Sequence, residues 1–386
     1  MNRRGVAIAC MLALCMAPAA AGAEGNIHAG QLKINPYVSV NEASSDNIYY
    51  TSTEERSDTL TTTTGGVRLQ YPFRMHRAEL EYYSVFARYH RYTKENTTDQ
   101  HANGSVNLKF GSLVSLNLSN SYLKGHEPRG SSSSGFIELF RNNTATASAS
   151  YQLADLSKIQ VDYAKSLWHF QTSGFRNRDE AVVSGYFYYR FLPKTSAFVE
   201  YERKNVVFSE ATLDTDNSAD SILAGLTWEM SARSKGTIKV GTTKKDFTSP
   251  DQGDFKGWVG YADARHDFTD NTGIMLNGQR TVNETSLIGN RYFITTGLYA
   301  ELTHLFVRRW SGVVRGSYGE DNYADPIPPD TTVRMDRTRL IGAGVKYVMK
   351  DWLEFAIDYN SRERRSNIPV NDYREHSYML TASVSL

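Results

Sequence analysis

Hydrophobic residues recur at every second position along most of the chain, and a period of two predicts β-strands rather than helices. Over 353–360, Leu353, Phe355, Ile357 and Tyr359 alternate with Glu354, Ala356, Asp358 and Asn360. Ile222, Ala224, Leu226 and Trp228 alternate with Leu223, Gly225, Thr227 and Glu229. Val114, Leu116 and Leu118 alternate with Ser115, Asn117 and Ser119, and Ile159, Val161 and Tyr163 with Gln160, Asp162 and Ala164. Successive strand side chains face opposite sides, so each segment has one oily face and one wet face. About 18 such segments of roughly 9–12 residues follow one another, the length at which a tilted strand crosses a bilayer. They begin near 32, 60, 76, 101, 113, 143, 158, 179, 196, 219, 235, 255, 273, 291, 310, 336, 352 and 373.

The connections alternate in length. One set is tight: Gly111-Ser112, Leu192-Pro193-Lys194-Thr195, Thr269-Asp270-Asn271-Thr272, Arg308-Arg309 and Lys350-Asp351. The other is long and polar, near 41–59, 90–100, 124–142, 169–178, 206–218, 246–254, 283–290, 320–335 and 362–372. Sorting of loops by side is the habit of outer-membrane barrels, with short periplasmic turns and long external loops. A soluble sandwich has no reason to sort them. The last strand carries Tyr378, Leu380, Ala382, Val384 and Leu386 on one face and ends with the chain. The expected fold is all-β: one transmembrane antiparallel β-barrel over 24–386, of about 18 strands, with 16 the nearest alternative.

Ahead of the first strand lies a secretory leader. Asn2, Arg3 and Arg4 form a basic start, Val6 to Met16 an apolar stretch too short to span a bilayer, and Ala21-Gly22-Ala23 a small-residue cleavage site. The mature chain is expected to start at Glu24, exported to the outer membrane of a Gram-negative cell. Cys10 and Cys15 both fall in the leader. Leu14 before Cys15 is too large for a lipoprotein signal, so the mature chain is expected to hold no thiol and no disulfide framework.

Loss of the leader removes two arginines and no acid, taking the formal charge from +1 to −1. A nucleic-acid binder would carry a basic excess, so that class is set aside. Past the leader there is no apolar run of 18 residues, which excludes helical spans. The mean hydropathy of −0.47 suits a barrel, because half of every strand faces a wet lumen. The 24 tyrosines fit interface girdles, where one end of the ring is apolar and the other wet. Trp228 and Trp310 fall at periplasmic strand ends and Trp258 at an external end. Tyr122, Tyr163, Tyr201, Tyr347 and Tyr359 share the oily parity. Tyr83, Trp168 and Phe198 are the inward rings on which a sugar could slide.

Parity assigns lumen-lining candidates. The acids are Glu79, Glu81, Asp162, Glu200, Glu202, Asp263, Glu301, Glu354 and Asp358; the bases are Lys239, Arg265, Arg315 and Lys346. Nine acids to four bases predict a mildly cation-preferring pore, against the plainer reading that lumen polar groups are simply hydrated. The i, i+2 pairs Glu79/Glu81 and Glu200/Glu202 overlap the carboxylate spacing of glycosidases, but a polar interior produces such pairs by default. No G-x-S-x-G or H-E-x-x-H motif occurs, and His90, His101, His126 and His169 show no metal spacing. Neither an enzyme nor a cofactor is expected. Asp214, Asp216, Asn217 and Asp220 resemble part of a calcium loop without its glycine and final glutamate.

Within the 124–142 connection, Gly135-Phe136-Ile137-Glu138-Leu139-Phe140 is oily where water is expected. Phe136, Ile137, Leu139 and Phe140 are candidates for a constriction at the mouth; the alternatives are an extension of the next strand or a partner contact. Arg176, Arg178, Arg362, Arg364 and Arg365 lie in or beside external loops. They are candidates for gripping lipopolysaccharide phosphates, against a merely solvated surface.

Several stretches carry a family likeness: Pro36-Tyr37-Val38-Ser39-Val40, Ser45-Asp46-Asn47-Ile48-Tyr49, and Gly65-Gly66-Val67-Arg68-Leu69 with Tyr71-Pro72. His76-Arg77-Ala78-Glu79-Leu80-Glu81-Tyr82 and Asn107-Leu108-Lys109-Phe110 continue it. On these the chain resembles a family of outer-membrane porins that frequently accompany capsule or exopolysaccharide genes. Ser45 stands where an aromatic often precedes Asp-Asn, and Thr64 where a proline often precedes the glycine. The resemblance implies a barrel and a role in polysaccharide secretion, with periplasmic polysaccharide-export proteins as partners. Other expected partners are outer-membrane lipid, lipopolysaccharide and the barrel-assembly machinery. The function expected is a passive conduit for exopolysaccharide or small solutes. The alternative is a non-conducting structural barrel whose loops bind surface polymer or partners.

Overall fold

The computed structural model describes residues 27–127, 129, 137–210, 216–231, 233–248, 253–285, 290–326 and 331–385. The leader, Phe136, Asp214 and Leu386 lie outside them. The described strands are β1 Ile27–Ala29, β2 Leu32–Ser45, β3 Asp58–Phe73, β4 His76–Tyr89, β5 Thr97–Phe110 and β6 Val114–Glu127. There follow β7 Glu138–Ala154, β8 Ser157–Phe170, β9 Arg178–Leu192, β10 Thr195–Phe208, β11 Asn217–Ser231, β12 Ser234–Phe247 and β13 Phe255–Asp267. The last six are β14 Thr272–Glu284, β15 Tyr292–Val307, β16 Trp310–Pro326, β17 Val333–Lys350, β18 Leu353–Ser366 and β19 Tyr373–Ser385.

Each strand from β2 to β19 pairs antiparallel with the next, and β19 returns to β2 with Ser377 opposite Ser45 and Ser385 opposite Tyr37. The result is a closed ring of 18 strands; β1 only folds back onto the start of β2. Closure satisfies every edge, the condition lipid imposes on a sheet. The tight turns fall on one side of the ring, among them the one after β5, where Gly111 takes the left-handed φ of 61°. The long connections fall on the other side.

The strands of the ring are 13 to 18 residues long, from β13 to β17, longer than bilayer crossing alone requires. The external loops are shorter than expected by the same amount. Leu139 and Phe140, candidates for a mouth constriction, are the second and third residues of β7, which matches the alternative of an extended strand. Strands therefore continue above the membrane, where both faces meet water and the oily alternation fades.

Alternation sets the two walls. On the outer wall Ile222, Ile341, Ile357 and Tyr378 are each more than three-fifths exposed, as a lipid-facing surface requires. Trp310 stacks on Tyr347 at 4.5 Å near the periplasmic rim, and Trp258 is exposed on the outer wall near the external end of β13. The buried apolar groups lie on the inner wall instead. Phe140, Trp168 and Phe170 form one cluster there, and Phe198 packs on Tyr188 at 5.1 Å. Two glycines let such rings lie flat. A Cβ at Gly66 would come within 2.7 Å of the Tyr37 ring, and one at Gly225 within 2.5 Å of Phe198, the residue across the strand pair in each case.

Candidate functional site

The inner wall divides into two sectors. Across the middle of β5, β6 and β7 it is built of hydroxyls and amides. Asn103, Ser105 and Asn107 on β5 face Ser121, Ser119 and Asn117 on β6, which in turn face Thr144, Thr146 and Ser148 on β7. Short side chains bond across the strands: Ser119 to Thr146 at 2.6 Å, Ser115 to Ser150 at 2.7 Å, and Ser121 Oγ donates to Asn103 Oδ1 at 2.8 Å. These groups are small, so this sector projects little into the lumen. The sequence carries this signal as serine and asparagine at every second position, as at Ser115, Asn117 and Ser119.

The other sector carries the charges. All thirteen lumen candidates lie on the inward parity of their strands, and nearly every one has a partner. Glu81 accepts from Arg68 at 2.7 Å and from the Tyr37 hydroxyl at 3.2 Å. Glu79 pairs with Arg77 and meets Gln70 at 3.4 Å. Glu200, fully buried, accepts from Lys239 Nζ at 2.7 Å and Tyr186 at 2.8 Å; Glu202 meets Ser184 at 3.4 Å. Asp162 accepts from Ser148 at 2.6 Å, Asp263 from Asn277, and Glu301 from Tyr299 at 2.5 Å. Arg315 pairs with Asp358, Lys346 with Glu354 at 3.4 Å, and the exposed Arg265 with Asp267 at 3.2 Å. The two glutamate pairs thus have different partners and form no shared acid–base site.

The acid excess read from the sequence is largely offset. Parity also brings inward the bases Arg68, Arg178, Lys204, Lys245, Arg334 and Arg364 and the acids Glu180, Asp321, Asp336 and Glu375, which lie outside the clearest alternating cores. Toward the external end, Glu284 accepts from Lys245 Nζ at 2.7 Å and Asn217 at 3.2 Å, with Lys204 Nζ 3.7 Å away. Lys204 in turn pairs with Glu180 at 3.0 Å, and Glu180 with Arg178 at 2.7 Å. Arg334 and Asp336 form a buried pair at 2.6 Å. Charges held in pairs cast a weak field into the lumen.

The arginines proposed to meet lipid phosphate mostly turn inward. Arg176 grips Glu127 at 2.8 and 2.9 Å and lies 4.0 Å over the Phe170 ring. Arg178 lies 5.0 Å from the Trp168 ring, Arg362 donates to the Tyr50 hydroxyl at 3.2 Å, and Arg364 to the Asn371 carbonyl at 2.6 Å. Only Arg365 of the five faces out.

At the mouth, Phe140 is buried on the inner wall while Leu139 faces outward, and Ile137 precedes the strand. Glu138 is fully buried and holds the 171–177 loop by accepting from Thr172 N at 2.9 Å and Ser173 Oγ at 2.6 Å. Separately, three external connections meet. Tyr49 packs edge-on to Tyr92 at 5.4 Å, Arg129 lies 5.2 Å over the Tyr49 ring and donates to Glu95 at 2.7 Å. Burial, with Glu95 beside it, pushes the Tyr49 phenol above its ordinary value. This contact joins three neighbouring external connections, and no single segment of the sequence carries a signal for it.

Of the calcium-loop residues, Asp216 accepts from Phe208 N at 2.7 Å and Asp220 pairs outward with Arg203 at 3.3 Å, so they do not converge. Among the described residues no three His, Asp or Glu side chains gather as a metal site.

The profile of a family described as "Putative beta-barrel porin 2" matches residues 19–386. No curated protein matches the sequence. Among solved structures, OpdK of Pseudomonas aeruginosa, determined with vanillate, is 10% identical over 92% of this chain and 99% of its own, with a TM-score of 0.51. OccAB4 of Acinetobacter baumannii is 10% identical over 92% of this chain and 98% of its own, with a TM-score of 0.49. At these identities the likeness is one of fold.

Proposed function

Since the chain belongs to the beta-barrel porin 2 family and is an outer-membrane barrel of porin type, we propose that it is a passive conduit for uncharged polyhydroxylated solutes, including an exported exopolysaccharide. The ring is wide enough. Eighteen strands spaced about 4.8 Å apart and tilted about 40° give a barrel about 35 Å across its backbone. Inward side chains remove about 5 Å on each side, and the flat-lying rings beside Gly66 and Gly225 remove little more.

The observation that carries the reading is the hydroxyl and amide sector on β5, β6 and β7. Such groups exchange hydrogen bonds with a passing sugar at little net cost, because each replaces a bond to water. The paired charges opposite neither attract nor repel a neutral chain strongly. Periplasmic export proteins would hand polymer to the short-turn side. The meeting of Tyr49, Tyr92 and Arg129 favours a second reading, a barrel closed at the mouth that serves a structural role.

Swelling of proteoliposomes in isotonic sugars separates the two. Neutral maltooligosaccharides are expected to enter at least as fast as oligouronates of the same length. Entry of the uronates at a clearly higher rate would contradict a neutral cargo, and no swelling in any sugar would favour the closed barrel.

A further inference from the structure

The outer wall carries a basic cluster on β16 to β19, just below the external loops, that the pore reading leaves unused. Arg337 stands directly opposite Arg365, Arg339 opposite Glu363, and Glu363 opposite Arg374. Glu320, across from Arg337, accepts from it at 3.0 Å. Glu363 accepts from both Arg365 and Arg374 at 3.0 Å. Arg339 has no carboxylate partner among the described residues; it lies 6.0 Å from the Tyr318 ring. Four guanidinium groups therefore share two carboxylates, and like charges placed directly opposite on a sheet are unfavourable unless something offsets them.

The level of the cluster says what does. On β16, Trp310 and Glu320 are ten residues apart, about 33 Å of strand and about 25 Å along the membrane normal at a tilt of about 40°. That is the height of the apolar band, with Trp310 at its periplasmic rim. The guanidinium groups stand at its external rim. Over about the next 15 Å beneath them the wall carries Ile341, Tyr378, Ile357 and Leu380, all strongly exposed. A ligand for this face has acyl chains below and negative charge on top.

We propose that this face binds a phosphorylated glycolipid of the outer leaflet, of the lipid A type. Its acyl chains lie along Ile341, Ile357 and Leu380, and its phosphates bridge Arg337, Arg339, Arg365 and Arg374. Guanidinium groups suit phosphate because they donate in a planar fork. Free phosphate would use the same donors but would leave the apolar surface uncovered.

Binding is measured by native mass spectrometry of the full chain in detergent. The probes are bisphosphorylated lipid A, the same lipid with both phosphates removed, and inorganic phosphate as competitor. The bisphosphorylated form is expected to bind at least tenfold more tightly than the dephosphorylated one, with no displacement by equimolar inorganic phosphate. The combined variant Arg337→Gln, Arg339→Gln, Arg365→Gln and Arg374→Gln is expected to lose that preference, while Arg203→Gln with Lys244→Gln, elsewhere on the outer wall, keeps it. Equal binding of the two lipids to the wild-type protein would overturn the proposal without recourse to any variant. So would retention of the preference in the folded quadruple variant, or displacement by inorganic phosphate.

Discussion

Replacing Glu284 with alanine is expected to destabilise the barrel by about 3–5 kcal/mol, because it removes one partner from a buried charge network and strands the others. Lys245 is only 3% exposed and its ammonium has Glu284 as its nearest carboxylate, at 2.7 Å. Lys204 loses its second acid, and the Asn217 amide loses an acceptor. Water reaches this corner poorly, so the lysine cannot simply rehydrate. The double change Glu284→Leu with Lys245→Met is expected to recover most of the loss, since removing both members of a buried pair is far less costly than removing one. The measurement is the urea midpoint at which the folded, heat-modifiable band is lost from unboiled gels. A midpoint unmoved by the single change would mean that the network is open to water and that the inner wall is less tightly built than its distances indicate.

Asn103→Asp together with Asn117→Asp is expected to turn a nearly unselective pore into a cation-preferring one, with the potassium-to-chloride permeability ratio rising about twofold or more. Both amides lie on the neutral sector, on β5 and β6. Each change is close to isosteric, so the wall keeps its shape. Asn103 already accepts from Ser121, and Asn117 from Asn107, so both new carboxylates have donors, and the one at 103 stands directly opposite Glu81 and adds to its charge. An unpaired carboxylate facing lumen water acts on passing ions, whereas Glu81 beside Arg68 or Asp358 beside Arg315 acts mainly on its partner. Reversal potentials under a salt gradient report the ratio. A strongly cation-selective wild type that the two changes leave unaltered would point instead to control by the lumen acids already present.

The strands and their facing could be read directly from the chain, because one buried-in-lipid face makes the period of two visible. The starts near 76, 255, 310 and 373 coincide with those of β4, β13, β16 and β19. The poorest agreement is at β5 and β7, expected near 101 and 143 and found at Thr97 and Glu138. There the first residues stand above the lipid, and Arg141 and Asn143 on the outer parity give no oily signal. The same loss of contrast concealed the facing of the arginines. Arg364 and Arg365 are neighbours in sequence and point to opposite walls, one toward the Asn371 carbonyl, the other toward Glu363. Ion pairs such as Lys239 with Glu200 join strands two apart in the ring, so they depend on register, which alternation alone does not fix. The mouth contact of Tyr49, Tyr92 and Arg129 joins three separate loops and has no local signature at all.

Single-channel recording of the purified wild-type protein in planar bilayers bears most directly on the wet, open lumen. Discrete, long-lived current steps whose size grows in proportion to potassium chloride concentration, with little preference between the two ions, are expected. Electrical silence from barrels shown to be inserted and folded by their protease resistance would contradict an open lumen.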